Sequence, residues 1–204
     1  NMIYDDLESN TGRTNRPSIV KVSNFDTYSI FAIAYNINVE HMFPAVGIIK
    51  TVNVSNEGEI KFTGEMAYFD ENIGHEPSII HVSEDIFAIT YCNEFNLGVL
   101  KTFRLFPNGD IEYTGSEFLF DDMECHEPSF IHVSEDIFAI AYRGPNDNGI
   151  LKTIKIESNG TIFTIENILD FESSDCFYPN IWLHFRNYYI VSYSTGNPPY
   201  GAYS

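Results

Sequence analysis

Positive charge, cysteine and long apolar runs are all scarce in this sequence. Its 204 residues carry 11 Lys+Arg against 29 Asp+Glu, which gives a formal net charge of −18. Because nucleic acids and anionic membranes are bound through clusters of Lys and Arg, neither is expected as a partner. No apolar run approaches the roughly 18 residues that a membrane span requires, so no membrane insertion is expected.

Helix signals are equally sparse. No segment combines helical periodicity with capping residues. Hydrophobic residues make up 44% of the chain and aromatic residues 15%, a composition that favours strands around a buried core. We therefore expect a single all-β domain over residues 1–204. The three cysteines, Cys92, Cys125 and Cys176, include no C-x-x-C pair, which argues against a zinc site or a disulfide framework.

An internal repeat organises the chain. Residues 77–91 read PSIIHVSEDIFAITY and residues 128–142 read PSFIHVSEDIFAIAY, so the two segments agree at all but two positions. They lie 51 residues apart, and the similarity continues beyond them. Weaker copies precede and follow this pair, so that repeats start at Pro17, Pro77, Pro128 and Pro179. The starts are 60, 51 and 51 residues apart, and loop insertions lengthen the first spacing. Recurrence at such a period is the signature of stacked structural units.

One repeat is expected to form four short strands. In the second copy, segments 78–82 and 86–91 are apolar, rich in β-branched residues and joined by a tight turn. Segments 98–106 and 111–120 flank Pro107-Asn108-Gly109-Asp110, a turn in which the glycine supplies a positive φ. Four antiparallel strands in about 40–50 residues match a propeller blade, which covers both of its faces only by stacking on neighbours.

On these grounds the chain resembles β-propeller repeat proteins over nearly its whole length. The repeat is similar to those of large secreted or cell-surface proteins of archaea and bacteria. The resemblance implies a secreted or cell-surface location and a closed ring of four blades, at about 17–70, 77–121, 128–171, and 179–204 completed by residues 2–6. A fragment of a larger propeller and a three-fold β-trefoil are the alternatives.

Acidic loops precede the repeat starts, and in a propeller they would cluster on one face. Asp121 and Asp122 in one of them, and Asp147 in the loop 145–149, offer the hard oxygen ligands that Ca²⁺ prefers. None of these loops has the EF-hand spacing, so a solvated acidic surface is the alternative. No cofactor is expected from the sequence, and Ca²⁺ at these loops is the alternative.

Glu76 and Glu127 occupy equivalent positions directly before a repeat proline. Two carboxylates that face one cleft could serve a glycan-cleaving enzyme as acid and base or nucleophile. Arg16 and Tyr178 stand at the same place in the first and last copies, so the carboxylate is not a feature of every repeat. These residues are weak catalytic candidates.

Trp182 and Tyr200 are candidates for ligand binding, because exposed aromatic rings stack on sugars and anchor protein partners. Core packing is the alternative for Trp182. His75, His81, His126 and His132 also recur in pairs, which suggests a metal site or simple duplication. Cys125 and Cys176 share a repeat position, so a disulfide between neighbouring loops and two free thiols are both expectations.

No nucleophile elbow, phosphate-binding loop, dinucleotide fingerprint or metalloprotease motif is present. We therefore expect a non-catalytic binding or structural module whose partner is a protein or a glycan. A glycan-cleaving propeller enzyme is one alternative. The other is assembly into homo-oligomers, in which open strand edges of different copies pair.

Overall fold

Strands dominate the computed structural model, which describes residues 16–39 and 42–196. No α-helix occurs in these ranges, and a short 3₁₀ turn at Pro145–Asp147 joins two strands. No helix in the described part of the chain has the length and apolar character to cross a membrane. The strands, in chain order, are β1 (Ser18–Asn24), β2 (Tyr28–Val39), β3 (Met42–Ser55), β4 (Ile60–Asp70), β5 (His75–Ser83), β6 (Ile86–Cys92), β7 (Gly98–Leu105), β8 (Ile111–Asp121), β9 (His126–Ser134), β10 (Ile137–Arg143), β11 (Gly149–Ile156), β12 (Ile162–Glu172), β13 (Phe177–Phe185) and β14 (Tyr188–Ser194).

The strands form three four-stranded antiparallel sheets and one two-stranded sheet. In each large sheet neighbours in sequence are neighbours in space, in the orders β1-β2-β3-β4, β5-β6-β7-β8 and β9-β10-β11-β12. The prediction of an all-β fold built from four-stranded antiparallel sheets is therefore confirmed. The turn between β7 and β8 also forms as predicted, with Gly109 at φ 97°.

The middle sheet is covered on both faces at its central strand β6, which explains the uninterrupted apolar sequence of that strand, whereas its outer strand β8 is partly exposed. Strand β6 is buried at every residue. Phe87 and Phe103 pack with Ala32 and other residues of the first sheet. Ala88 and Leu100 belong instead to a cluster with residues of the third sheet, among them Phe138 and Ile140. Successive sheets therefore share cores, so that no sheet covers its faces alone.

The same polar contact ties the first sheet to the second and the second sheet to the third. The Thr51 hydroxyl donates to the Gly109 carbonyl at 2.7 Å, and Thr102 donates to the Gly160 carbonyl at 2.8 Å. The first strands of the four sheets are also neighbours, since β1 contacts β5, β5 contacts β9, and β9 contacts β13. The repeat thus positions equivalent residues of adjacent sheets next to one another.

The last sheet is smaller than the others in the described ranges. It consists of β13 and β14, whereas β2, β6 and β10, which hold the position of β14, each have a strand on both sides. Tyr188 at the start of β14 is 71% exposed. Residues 2–6 and 197–204, to which the sequence assigned the rest of this unit, lie outside the described residues.

A glycine at the start of the third strand makes room for an aromatic ring near the end of the fourth. A Cβ atom at Gly98 would lie 2.5 Å from Cε2 of Phe120, whose side chain is buried. The same contact recurs between Gly47 and Phe69. Close packing leaves such a ring little room to move aside.

Replacing Gly98 with alanine is predicted to destabilise the protein by about 1–3 kcal/mol, because the added methyl group overpacks the Phe120 ring. Chemical denaturation of G98A measures the loss. The double variant G98A/F120L should lose less than the sum of the two single variants, since the smaller side chain relieves the clash. Strict additivity would contradict the contact.

Candidate functional site

Four residues that directly precede the repeat prolines share an unusual backbone conformation. Arg16, Glu76, Glu127 and Tyr178 have φ values of 48°, 52°, 56° and 57°. Positive φ is uncommon for residues other than glycine. Glu76, Glu127 and Tyr178 each fall where the pairing of the first and second strands shifts register, so each lies in a β-bulge. Bulges re-aim side chains, here at one end of the first strands.

Carboxylates link these positions from one repeat to the next. Oε2 of Glu76 accepts the backbone N–H of Glu127 at 2.6 Å. Oε2 of Glu127 in turn accepts the backbone N–H of Tyr178 at 2.5 Å. Hydrogen bonds to an ionised acceptor are stronger than neutral ones. The two glutamates therefore hold three consecutive units in a fixed spacing.

Arg16, in the first unit, contacts Tyr178 in the fourth unit. Its guanidinium carbon lies 4.2 Å from the centre of the Tyr178 ring, a cation–π geometry. Its Nη2 donates to Oε1 of Glu127 at 3.0 Å. Glu127 therefore contacts Glu76, Tyr178 and Arg16, and Arg16 also contacts Tyr178. We call these four residues the four-residue ring below, as a name for the set.

Glu127 is the most buried member of the four-residue ring, with 6% of its surface exposed. Its charge is balanced by Arg16 and by Arg143, whose Nε lies 3.6 Å from Oε2. Arg143 is itself held by Asp147, which accepts from Nη1 at 2.6 Å. A buried carboxylate is tolerated when it is paired and hydrogen-bonded in this way.

A depression of about 480 Å³ opens over the four-residue ring. It is lined by the same three positions of all four repeats: Arg16, Pro17, Ser18, Glu76, Pro77, Ser78, Glu127, Pro128, Ser129, Tyr178, Pro179 and Asn180. The prolines fix the local backbone, and Tyr178 is 45% exposed. The surface therefore combines polar groups with one accessible aromatic ring.

The predicted pair Glu76 and Glu127 is brought to one place, as an acid–base pair would require. Both carboxylates, however, accept backbone hydrogen bonds that join the repeats. The geometry therefore assigns these residues an architectural role, and catalysis stays an untested prediction.

Two of the predicted calcium ligands, Asp121 and Asp147, have protein partners. Asp121 accepts the Tyr142 hydroxyl and the backbone N–H groups of Met123 and Glu124. Burial and this carboxylate raise the pKa of Tyr142. Asp147 is paired with Arg143. Within residues 16–39 and 42–196, no group of three or more His, Cys, Asp or Glu is arranged to hold a metal ion. Calcium binding at Asp121, Asp122 or Asp147 stays a prediction.

The aromatic candidate in the described part of the chain, Trp182, does not line the depression over the four-residue ring. Trp182 is 39% exposed on β13, where it pairs with Ile190 of β14. Tyr200 lies outside the described residues. The exposed aromatic residue that does reach the depression is Tyr178, which the sequence marked only as a substitution for glutamate. The feature of the sequence that indicates this site is the position directly before each repeat proline.

The repeated histidines serve as local structural contacts. Nε2 of His81 lies 2.9 Å from the Glu84 carbonyl, and His132 makes the same contact with Glu135. Burial lowers the pKa of His75 from its usual value, against smaller opposing effects of Glu76 and Asp70. Within the described residues, these histidines are not part of any group of three or more metal-ligating side chains.

Comparison with known proteins places the chain in no family, since no family model matches it and no curated protein matches it significantly. The repeat and the geometry of its contacts are therefore the basis for the functional proposal.

Glu127→Ala is predicted to lower the free energy of unfolding by about 2–3 kcal/mol, because it leaves Arg16 and the Tyr178 N–H without their acceptor. Urea denaturation measures the change. Glu117→Ala is the matched control, since this exposed carboxylate pairs with Lys101 at 3.1 Å and should cost less than about 1 kcal/mol. Equal losses in both variants would contradict the role given to Glu127.

His75 should make stability depend on pH. Its folded pKa lies below the unfolded value, so its contribution is complete above about pH 6.5 and is lost as the pH falls through the folded pKa. His75→Gln should flatten the fall in stability between about pH 7 and pH 5. Denaturation at several pH values, with exposed His81→Gln as the control, tests this; an unchanged slope in H75Q would contradict it.

Proposed function

We propose that this chain is a β-propeller in which the sheets surround the four-residue ring, and that it is a non-catalytic binding module of a secreted or cell-surface protein. Its partner is a glycan or a protein segment that enters the depression over the ring. The single observation that carries the proposal is the convergence of four repeat-equivalent residues on one polar depression.

The circular arrangement is supported by contacts at both ends of the series. The first strands are adjacent in sequence order from β1 to β13. Arg16, before β1, also contacts Tyr178 at the start of β13. A row of sheets that ran straight would separate these two residues, whereas sheets around an axis bring them together. This is why we favour a propeller over an open stack.

Binding is favoured over catalysis because the candidate acids already have partners. Glu76 and Glu127 fix the backbone of the next repeat. The exposed ring of Tyr178 and the Ser78 hydroxyl at the same depression form a surface suited to sugar hydroxyls or a peptide backbone. The net charge of −18 disfavours anionic ligands.

The proposal is tested by screening neutral glycans and peptides on arrays, followed by calorimetry with the best ligand. Tyr178→Leu should weaken binding by about tenfold or more, because an aromatic anchor contributes on the order of 1–2 kcal/mol. Tyr188→Leu, an exposed tyrosine on β14, is the control and should bind normally. Unchanged binding in Y178L would overturn the site, and glycan hydrolysis lost in E127Q would favour the enzyme.

Assembly by strand pairing is a second candidate function, favoured by the two-stranded last sheet. In the described ranges β14 pairs only with β13, and Ile190 and Tyr193 on it are exposed. An open edge of this kind is a template for a strand of another copy.

Light scattering over a range of concentrations tests assembly. If copies pair at β14, the mass should rise with concentration and Trp182 fluorescence should shift with it, since Trp182 pairs with Ile190. Ile190→Lys should abolish the association, because a charge on an edge opposes pairing. Ile60→Lys, at an exposed position of β4, is the control. A constant mass would contradict assembly.

A further inference from the structure

We propose that Cys92 and Cys125 are the sites of an intramolecular disulfide that joins the second sheet to the loop entering the third. Their Sγ atoms lie 3.2 Å apart, in hydrogen-bond contact, and both residues are buried. This proposal is independent of the binding function, because neither residue lines the depression over the four-residue ring.

The two thiols are held in place by backbone contacts that do not involve sulfur. Cys92 is the last residue of β6 and pairs with His75 of β5. The backbone N–H of Cys125 donates to the Asn96 carbonyl at 2.7 Å. The same backbone hydrogen bond recurs one repeat later, where the N–H of Cys176 donates to the Asp147 carbonyl at 2.8 Å. The repeat thus fixes Cys125 beside the end of β6 whether or not a bond forms.

Comparison of equivalent junctions shows that this thiol pair is specific to one of them. The place of Cys92 is taken by Asn36 in the preceding repeat and by Arg143 in the following one. The place of Cys125 is taken by Gly74 and Cys176. At the junction that contains Cys176, the position equivalent to Cys92 is held by Arg143, so no second thiol is present there. The sequence left open a disulfide between Cys125 and Cys176, but the contact made by Cys125 is with Cys92.

The chemistry requires an external disulfide and access to one thiol. One thiolate attacks a low-molecular-weight disulfide such as oxidised glutathione and releases one glutathione thiol. The second thiolate then displaces the other glutathione, so that two protein thiols become one disulfide. Burial raises the pKa of Cys125, and buried protonated thiols react slowly. The bond therefore forms as the chain folds or when the loop opens, near exposed Met123.

The experiment equilibrates the full chain, refolded from denaturant, in glutathione buffers of graded redox potential. After acid quenching, free thiols are counted by alkylation and mass spectrometry, and the bond is located by peptide mapping. Circular dichroism checks folding, and thermal unfolding is recorded for each state. Cys176→Ser and Cys92→Ser are the matched variants.

Under oxidising conditions the wild-type chain should keep one of its three thiols, Cys176→Ser none and Cys92→Ser two. The oxidised wild type should unfold about 5–10 °C higher than the reduced form, because the bond closes a long loop of the unfolded chain. Three free thiols at every potential, a stable glutathione adduct, or a bond between Cys125 and Cys176 would each overturn the proposal. The peptide map of the wild type decides the question even if a variant fails to fold.

Discussion

The hydrogen bond that a backbone N–H of one repeat donates to a glutamate carboxylate of the preceding repeat is the contact on which the arrangement of the sheets depends. Hydrophobic burial drives neighbouring sheets together, but it is not directional and tolerates sliding. The Glu76 and Glu127 carboxylates add a fixed distance and direction at one end of the first strands. Because each accepts an N–H of the next unit, a shift of one sheet would leave a charged acceptor and a donor unsatisfied.

The positive φ of the ring residues follows from the same requirement. At Glu127 and Tyr178 a bulge turns the side chain toward the shared depression and the backbone N–H toward the carboxylate of the preceding repeat. Such backbone strain persists only where surrounding contacts compensate it. Here those contacts are the hydrogen bonds within the four-residue ring and the shared cores beneath it. The strained positions are therefore the ones that adjoin the proposed binding surface.

Much of the fold could be predicted from the sequence because the repeat is strong. The apolar segment 86–91 and the Asn-Gly turn at 108–109 lead directly to β6 and to the turn between β7 and β8. The site was harder to predict, because its contacts join residues 51 positions apart through side chains that differ between copies. Glu76 and Glu127 were identified, yet their backbone partners and the Arg143 contact depend on the bulges, which periodicity does not reveal. The proximity of Cys92 to Cys125 likewise depends on a loop path between two sheets.

A double-mutant cycle between Arg16 and Tyr178 tests the central claim most directly, because these residues belong to the first and last units. The free energy of unfolding is measured for the wild type, Arg16→Gln, Tyr178→Leu and the double variant. If the units surround an axis and the four-residue ring is closed, the cycle should give a coupling energy of about 0.5–2 kcal/mol. Additive effects of the two substitutions would show that the first and fourth units do not meet, and would contradict the account.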